Sequence, residues 1–413
     1  MVYNKAKLSD VAEIIVGFAF KSEQFNVEGK GVRLVRGKNI TSRSLRWGDD
    51  TRWWDDFSIK LDRYFLKVID IVIGMDGSLV GKNYSRVLAE DLPLLLVQRV
   101  ACIRAKEGVD QDFLWGCIAS SRFEQYIDSV KTGTSIPHIS GKQIGDYEVP
   151  IFAYEDQKKI GVLSTLLESK IRNNNKINDN LQQQVHALFR EWFINSPEAD
   201  SWERGTFADL IERTISGDWG KDTATGNNTE MVYCIRGADI PEVKAGNKGK
   251  MPTRFILPKN YATKQLVAGD IVVEISGGSP TQSTGRAAVI SDALLARYDK
   301  GMVCTNFCKA LKPKAGYSMF VYHYWQYLYD ANVFFGYENG TTGIKNLDIG
   351  GIIEREEIVI PPRSQIEKFD DLCQSIYRII YSNGLENEQL STVRESLLPR
   401  LMSGEIDITS VDI

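Results

Sequence analysis

The stretch Val32-Arg-Leu-Val-Arg-Gly-Lys-Asn-Ile40 returns 200 residues later as Val232-Tyr-Cys-Ile-Arg-Gly-Ala-Asp-Ile240. The short run Asp70-Ile71-Val72 returns at the same distance as Asp270-Ile271-Val272. Further matches continue towards the end of the chain, where the offset has grown to 209 residues. A repeat this long predicts two similar domains related by a pseudo-two-fold axis, and not a solenoid of short units. Such a body suits a target that itself has two-fold symmetry, of which duplex DNA is the commonest.

Composition and charge limit the class of protein. The chain has 413 residues, 43% of them hydrophobic and 25% charged, which is ordinary for two or three folded soluble domains. There is no apolar run of about 18 residues, and Met1–Lys5 lacks the apolar core of a signal peptide, so we expect a cytoplasmic protein without a membrane span. The six cysteines form no Cys-x-x-Cys pair, which predicts reduced, mostly buried thiols. The net charge of −4 argues against a protein that coats DNA by itself, but it allows a local basic patch.

Both copies of the repeat are interpreted as mixed α/β (α+β) domains, at 1–154 and 201–362. Regular alternation of strands and helices is absent from the pattern, which favours a partly antiparallel sheet over a doubly wound one. The predicted helices are 112–130, taken as one amphipathic helix, and the aromatic segment 318–335. The predicted strands are rich in Val, Ile and Leu and lie at 32–36, 69–74, 97–104, 146–151, 232–236, 270–275, 307–311 and 358–360.

Two long heptad patterns follow these domains, a central spacer helix at 155–200 and a distal spacer helix with its tail at 363–413. Sustained heptads of this length predict a coiled coil, and Ser364-x-x-Glu367 is a capping box at the start of the second helix. The two columns match at a constant offset of 209 residues. They consist of Ile160, Leu167, Asn174, Leu181 and Leu188 in the first helix and Phe369, Ile376, Asn383, Leu390 and Leu397 in the second.

One asparagine interrupts each column at its midpoint, Asn174 in the first and Asn383 in the second. A buried, unpaired amide is costly, so one interpretation is that these two side chains hydrogen-bond each other at the pseudo-two-fold axis. The alternative is that the column is exposed at this point, because Gly384 and the polar run 173–176 adjoin it.

Connectivity predicts the direction of the two helices. A domain of about 160 residues lies between them, with a radius of gyration of roughly 15 Å. A helix of about 38 residues is roughly 57 Å long, so this domain joins neighbouring helix ends more easily than opposite ends. We therefore expect two pseudo-symmetric domains joined by two long antiparallel coiled-coil helices, which would hold the domains at a fixed separation.

Several motifs occur in a characteristic order along this plan. They are Gly17–Phe25 and its alternative form Gly217–Asp222, the strand and glycine loop Asp70–Lys82, the closing loop Gly133–Ser140, and the helix start Glu155–Ile160. Each motif is weakly specific alone. In this order, with two long helices, they make the chain resemble the specificity (S) subunit of Type I restriction–modification systems over essentially its whole length.

The resemblance implies a function for each part. The two globular parts would be target recognition domains, each reading one half of an interrupted sequence in double-stranded DNA. The helices would be spacers that bind two methyltransferase (M) subunits, and restriction (R) subunits would add to that core. The resemblance assigns S-adenosylmethionine to the methyltransferase partner, ATP and Mg²⁺ to the restriction partner, and no cofactor to this chain.

Base-edge reading requires Arg, Lys, Asn, Gln, Ser and Thr on loops that can enter a groove, and glycine lets the backbone approach a phosphate. The opposing interpretation of any one such residue is a solvated loop position. Residues that differ between the copies, such as Lys82-Asn83 against Arg286-Ala287, are favoured for specificity, whereas Arg36-Gly37 and Arg236-Gly237 recur and indicate a structural or phosphate-binding role. The predicted DNA-binding residues are Lys38, Asn39, Ser78, Lys82, Asn83, Arg86, Thr134, Ser135, His138, Thr281, Gln282, Ser283, Arg286, Thr341, Thr342, Lys345 and Asn346.

Catalytic and metal motifs are not recognised in the sequence. The segment Gly278–Arg286 resembles a phosphate-binding loop, but it has six residues between its glycines and Arg in place of Lys. Three histidines are too few for a His-rich metal site, and the Pro-Pro-aromatic tetrad of amino-methyltransferases is missing. The aromatic run at 322–329 and Trp53-Trp54 could stack on unpaired bases, but core packing or a protein contact is favoured.

These observations favour a non-catalytic DNA-reading subunit. The alternative is a two-domain coiled-coil adaptor that holds protein partners and never touches DNA, which the acidic balance favours. A self-contained methyltransferase is a third reading, which the missing tetrad opposes.

Overall fold

The computed structural model describes residues 4–133, 135–277, 279, 282–340 and 345–410. It divides into two compact units, which share the two long helices. The first unit is Met1–Lys170 with Leu390–Ile413, and the second is Ile171–Gln389.

The first unit is built on a four-stranded antiparallel sheet in the order β2-β10-β7-β8. A second sheet, β6-β3-β9, contains one parallel pair, and the pairs β1-β11 and β4-β5 complete the unit. The strands are β1 Lys5–Lys7, β2 Ala12–Val16, β3 Val32–Val35, β4 Ile40–Thr41, β5 Ser44–Leu45, β6 Trp53–Trp54, β7 Ile71–Gly74, β8 Tyr84–Arg86, β9 Leu94–Leu96, β10 Val100–Ala105 and β11 Glu148–Pro150.

The prediction of a single helix over 112–130 is wrong, because the chain forms two helices with a break between them. The side chain of Ser120 accepts a hydrogen bond from the Phe123 amide and donates to the Cys117 carbonyl, so it caps one helix as it closes the other. The helices of this unit are α1 Leu8–Val11, α2 Gln111–Ile118, α3 Ser121–Val130 and α4 Gly141–Gly145, followed by the start of α5 Tyr154–Phe189.

The second unit has a four-stranded antiparallel sheet in the order β13-β20-β16-β18 and a mixed sheet β15-β14-β19. The strands are β12 Glu203–Gly205, β13 Ile211–Ser216, β14 Glu230–Ile235, β15 Thr253–Ile256, β16 Ile271–Glu274, β17 Ser276–Gly277, β18 Ala287–Val289, β19 Met302–Cys304, β20 Cys308–Pro313, β21 Glu338–Asn339, β22 Lys345–Leu347 and β23 Ile358–Ile360. The helices are α6 Ile240–Lys244, α7 Pro258–Lys264, α8 Asp292–Leu295, α9 Ser318–Asp330, α10 Ile349–Arg355 and α11 Arg363–Met402.

The predicted repeat is confirmed at the level of strand order and register. In the first unit Val72 of β7 lies opposite Cys102 of β10, and in the second unit Val272 of β16 lies opposite Ala310 of β20. The parallel pair β3-β9 likewise has its counterpart in β14-β19. Each unit is therefore a mixed α/β domain on a partly antiparallel sheet, as the sequence predicts.

The two long helices begin where the sequence predicts and run antiparallel. In the second unit, Asn174 of α5 contacts Asn387 of α11, and Asn178, one turn later in α5, contacts Asn383, one turn earlier in α11. A π-helical turn, Arg190–Ile194, extends α5. The opposite progression along the two helices confirms the antiparallel coiled coil.

The direct Asn174–Asn383 hydrogen bond is a wrong prediction, because each asparagine bonds to a residue one turn away from its expected partner. The amide of Asn174 donates to Asn387 Oδ1 at 3.0 Å, and the amide of Asn383 donates to Asn178 Oδ1 at 2.8 Å. The offset of 209 residues exchanges these two pairs, because Asn174 corresponds to Asn383 and Asn178 to Asn387. The four amides are therefore paired in a ladder of two crossed pairs, with Asn174, Asn178 and Asn387 buried and Asn383 partly buried.

The heptad columns are polar near their centre and apolar outside it. Asn174 and Asn178 are buried, and Asn178 also donates to the carbonyls of Ala245 at 3.2 Å and Ile380 at 3.1 Å. Ile160 and Phe369 are fully buried, and the remaining members of the predicted columns are partly buried. Those partly buried members are Leu167, Leu181, Leu188, Ile376, Asn383, Leu390 and Leu397.

The aromatic run in α9 packs in the core of the second unit. Tyr322 and Trp325 are buried, and the Trp325 indole donates to the Gly285 carbonyl at 2.8 Å. Trp54 is also buried, with its ring 4.7 Å from that of Phe20. All six cysteines are buried and free. These side chains stabilise the units and do not form a base-stacking platform.

The asparagine ladder predicts a measurable loss of stability. In Asn178→Ala, the carbonyls of Ala245 and Ile380 and the amide of Asn383 each lose a buried partner, so we expect the free energy of unfolding to fall by about 1–3 kcal/mol. Urea denaturation of the full chain measures this change. The matched control Asn173→Ala, at an exposed position of the same helix, should stay within about 0.5 kcal/mol of the parent. Equal losses in the two variants would contradict the role of the ladder.

Candidate nucleic-acid interface

Three segments meet at the end of strand β7 in the first unit. The Met75 amide donates to the Arg99 carbonyl at 2.9 Å, and the Met75 carbonyl accepts from the Ile139 amide at 2.9 Å. One step further, the Gly77 amide donates to the Pro137 carbonyl at 3.0 Å. The glycine loop after β7, the turn before β10 and the closing loop 131–140 therefore lie at one edge of the sheet.

The second unit repeats this arrangement around Ile275. Its amide donates to the Phe307 carbonyl at 2.9 Å, and its carbonyl accepts from the Leu347 amide at 2.9 Å. Beyond it, Ser276 and Gly277 pair with Asn346 and Lys345 in the short sheet β17-β22-β21. Both units thus present the same three segments on the same backbone hydrogen bonds.

Glycine is required where each glycine loop turns back towards its sheet. Gly81 has φ +84°, and a Cβ atom there would lie 2.5 Å from a methyl carbon of Ile127 in α3. Gly285 has φ +107°, and a Cβ atom there would lie 2.5 Å from the Phe334 ring. The two loops therefore lie directly against neighbouring packed elements, which restricts their conformation.

Several predicted residues of the first unit are exposed along this edge. Ser78 and Lys82 lie in the glycine loop, and Ser135 and His138 lie in the closing loop. The backbone of His138 pairs with Thr132 at 2.9 and 2.8 Å, which shapes that loop as a tight hairpin. Asn83 is partly exposed, and Thr134 lies outside the described residues.

Three other predicted residues of this unit make contacts within the fold. Asn39 is buried, and its side chain accepts from the Arg36 amide at 3.1 Å. Lys38 is exposed and pairs with Asp50 at 2.8 Å, a contact that lowers the pKa of the Asp50 carboxyl. The guanidinium of Arg86 pairs with Asp112 and donates to Thr165 Oγ1 at 3.0 Å, so it is directed towards α2 and α5 and away from the three loops.

In the second unit, Gln282, Lys345 and Asn346 lie at the loop edge. The Lys345 ammonium pairs with Glu338 at 2.6 Å and donates to the Ser279 carbonyl at 3.2 Å. Burial opposes ionisation of Glu338, but hydrogen bonds from Lys345 and Thr284 outweigh it and lower its pKa. Thr281, Thr341 and Thr342 lie outside the described residues.

Ser283 and Arg286 face the interior of this unit more than the sequence suggests. Ser283 is buried, and Arg286 donates through two nitrogens to Glu274 at 2.8 and 2.7 Å. That pairing raises the pKa of Arg286. The expected correspondence of Lys82-Asn83 with Arg286-Ala287 is shifted by one residue. The Asn83 carbonyl and the Arg286 carbonyl accept equivalent strand hydrogen bonds, so Asn83 is the counterpart of Arg286.

The repeated Arg-Gly pairs have a structural role. The Arg236 amide and guanidinium both donate to Asp239, and the guanidinium also donates to the Lys250 carbonyl at 2.8 Å. In the first unit the Arg36 guanidinium donates to the Asp50 carbonyl. Phosphate binding by Arg236 is not favoured, because its guanidinium is hydrogen-bonded to partners within the fold.

Each edge also carries exposed residues that are not among the predicted DNA-binding residues. Gln98 and Arg99 in the first unit, and Asn306 and Phe307 in the second, are exposed in the turns that precede β10 and β20. Only the backbone hydrogen bonds from Met75 and Ile275 to these turns place the four residues at the edge. The available sequence signal is weak, since it consists of two exposed residues before a buried strand.

Two further properties of the described residues bear on chemistry. The part of the chain that the structure describes holds no group of three His, Cys, Asp or Glu side chains placed to bind a metal ion. No helix in that part is long and apolar enough to cross a bilayer.

The chain is similar in sequence to known proteins. A family model described as a Type I restriction modification DNA specificity domain matches residues 3–183. The chain is 25% identical over 331 residues to the MjaIX Type I restriction enzyme specificity subunit of Methanocaldococcus jannaschii, which covers 76% of this chain and 74% of that protein. It is 33% identical over 159 residues to the EcoAI specificity subunit of Escherichia coli, which covers 37% of this chain and 26% of that protein.

A solved structure supports the fold over the full length. The S subunit of a Type I restriction–modification system from M. genitalium superposes with a TM-score of 0.53 at 16% identity. The alignment covers 97% of this chain and 96% of that one. The resemblance found in the sequence is therefore confirmed by family, relatives and fold.

The contacts of Arg86 predict a stability defect. Arg86→Ala leaves the Asp112 carboxylate, whose side chain is only 27% exposed, without its partner, so we expect the free energy of unfolding to fall by about 1–3 kcal/mol. The control Lys82→Ala, in the neighbouring glycine loop, should change it by less than about 0.5 kcal/mol. Chemical denaturation followed by tryptophan fluorescence measures both. An unchanged midpoint in Arg86→Ala would return Arg86 to the candidates for DNA contact.

Proposed function

We propose that the chain belongs to the family of Type I restriction–modification specificity subunits, and that it is the non-catalytic subunit that reads a bipartite, interrupted DNA site. Each unit would read one half of that site through its three loop segments. The observation that carries the proposal is the occurrence of the same three-segment edge in both units, on equivalent hydrogen bonds at Met75 and Ile275.

The side chains along the two edges differ while the backbone is kept, as reading two different half-sites requires. The first edge carries Ser78, Lys82, Ser135 and His138, whereas the second carries Gln282, Lys345 and Asn346. Hydroxyl, amide and cationic groups supply the donors and acceptors that recognise base edges and phosphates. The acidic net charge of the chain is compatible with this role, because bound partners can supply further phosphate contacts.

The helices offer surfaces for the methyltransferase subunits. Val162 and Leu166, one turn apart in α5 of the first unit, are 41% and 58% exposed. In the second unit Ile177, Ile379 and Leu385 are also exposed on the long helices. Apolar side chains exposed in rows on a helix favour association with another protein surface. We infer that two methyltransferase subunits bind this chain through its helices, and that restriction subunits join the complex through them.

In this proposal the methyltransferase and restriction subunits carry out the catalytic chemistry. The methyltransferase subunit would bind S-adenosylmethionine and flip the target adenine, while the restriction subunit would use ATP and Mg²⁺. This chain would place the methyltransferase over the correct base pair. The described residues present loop donors at both edges and paired charges at the edge of the second unit, which suit recognition.

Domain exchange tests the bipartite reading. Replacement of residues 1–154 by the same segment of another family member should change one half of the methylated sequence and leave the other half intact. Sequencing of methylated adenines in cells that co-express the chimera and the methyltransferase subunit gives the motif directly. Changes in both halves would contradict independent reading by the two units.

The adaptor without DNA binding remains the second candidate, because the net charge is negative and apolar helix surface is exposed. The same co-expression distinguishes the two functions. A stable complex with the methyltransferase subunit but no methylation motif and no DNA affinity would favour the adaptor.

Substitution of the exposed helix surface tests the partner contact. Leu166→Asp should weaken binding to the methyltransferase subunit at least about tenfold, because it places a charge on an apolar contact surface. Its own fold should be retained, since the side chain is exposed. The control Ile59→Asp changes an apolar residue that is 85% exposed outside the two long helices and should bind normally. Equal affinity of both variants, measured by calorimetry, would exclude this surface.

A further inference from the structure

Two exposed turns precede the central strands of the two units. In the first, the Val100 amide donates to the Val97 carbonyl at 3.1 Å, and in the second the Cys308 amide donates to the Thr305 carbonyl at 2.9 Å. The flanking residues of both turns are buried, whereas the two middle residues are exposed. The middle residues are Gln98-Arg99 in the first turn and Asn306-Phe307 in the second.

Both turns are fastened to the candidate DNA-reading edge. The Arg99 carbonyl accepts from the Met75 amide, and the Phe307 carbonyl accepts from the Ile275 amide, each at 2.9 Å. Met75 and Ile275 are the residues that also bind the closing segments of their units. The side chains of Arg99 and Phe307 therefore start from equivalent backbone positions beside the loops.

Arg99 adopts a backbone conformation that an arginine does not favour. Its φ is +74°, in the left-handed region where glycine or asparagine is preferred at this position of a turn. Among the described residues, no hydrogen bond or ion pair is found for its guanidinium. A strained residue with an exposed, unengaged charge is a feature that accumulates at binding sites.

Phe307 exposes a large apolar ring instead. The side chain is 61% exposed although it stands directly before a buried strand. Its amide donates to Thr305 Oγ1 at 3.3 Å, which holds the turn in place without burying the ring. The two units thus keep the hydrogen bond that closes the turn and an amide side chain at its first middle position. The second middle position changes from a cation with positive φ to an aromatic ring without it.

We propose that these two turns are base-reading elements, in which Arg99 reads a guanine in one half-site and Phe307 contacts a thymine methyl group in the other. This inference rests on the proposed function. Arginine recognises guanine through paired hydrogen bonds to O6 and N7, whereas an apolar side chain recognises the C5-methyl group of thymine. Gln98 and Asn306 carry amides, which match the N6 and N7 pattern of adenine, and they stand beside these two residues.

The test measures base discrimination in the complex of the full chain with its methyltransferase subunit. The motif is first determined from methylated adenines, and affinities are then measured for duplexes with each motif base replaced in turn. Arg99→Gly should reduce discrimination about 10–100-fold at one guanine of one half-site only. Phe307→Ala should reduce discrimination at one thymine of the other half-site, and Phe307→Leu should retain most of it.

Arg99→Gly also separates recognition from folding. Glycine adopts positive φ without strain, so this variant should unfold at a temperature no lower than the parent while it loses discrimination. Arg99→Lys keeps the charge but not the paired donors, so it should lose discrimination as well. If the lysine variant discriminates like the parent, or if Arg99→Gly weakens binding to all sequences equally, the arginine contacts phosphate and the proposal is overturned.

Two control residues of the same types lie in the first unit, outside its three loop segments. Arg122→Ala removes an exposed arginine at the start of α3, at the opposite end of that helix from the closing loop, and Phe57→Ala removes an exposed phenylalanine. Neither should alter the motif. Normal discrimination by both turn variants would overturn this inference while the proposed function stands. Failure of the parent complex to methylate any motif would overturn both.

Discussion

Each unit depends on the hydrogen bonds of one residue at the end of a central strand. Met75 and Ile275 use their amides to hold the turn before the next strand and their carbonyls to hold the closing segment. Because both groups belong to the backbone, the arrangement survives changes in every side chain around it. This constraint explains how one scaffold can present two different sets of side chains.

The division between kept backbone and changed side chains extends through both edges. In the second unit, Arg286 and Glu274 form an ion pair with two hydrogen bonds, whereas Asn83 and Gly74 occupy the equivalent positions in the first unit. The first unit therefore lacks both charges of this pair, and one buried partner without the other would be costly. Lys345 and Glu338 form a second such pair near the same edge. The electrostatics of the two edges differ accordingly.

The long helices differ from the two edges, because their interacting polar side chains lie near the midpoint of the heptad columns. Four asparagines of the two helices hydrogen-bond one another and nearby carbonyls, while Phe189 and Phe369 pack further along the same helices in the second unit. A polar layer in a coiled coil restricts register, because a shift leaves amides without partners. The apolar residues supply burial, and the asparagines define which residues of the two helices face each other.

The sequence by itself determined the duplication, the mixed α/β class, the antiparallel helices and the resemblance to Type I specificity subunits, because these depend on periodicity, order and length. It also indicated exposed loop residues such as Lys82 and His138. Only the tertiary structure decided the partners: Asn174 bonds Asn387 and not Asn383, Ser120 divides one expected helix into two, and Arg86 pairs with Asp112. The reason is physical, since a hydrogen bond requires its two atoms to be placed to within a few tenths of an ångström, and periodicity does not encode such placement. The same holds for Arg99 and Phe307, which became neighbours of the reading edge only through backbone hydrogen bonds across the sheet.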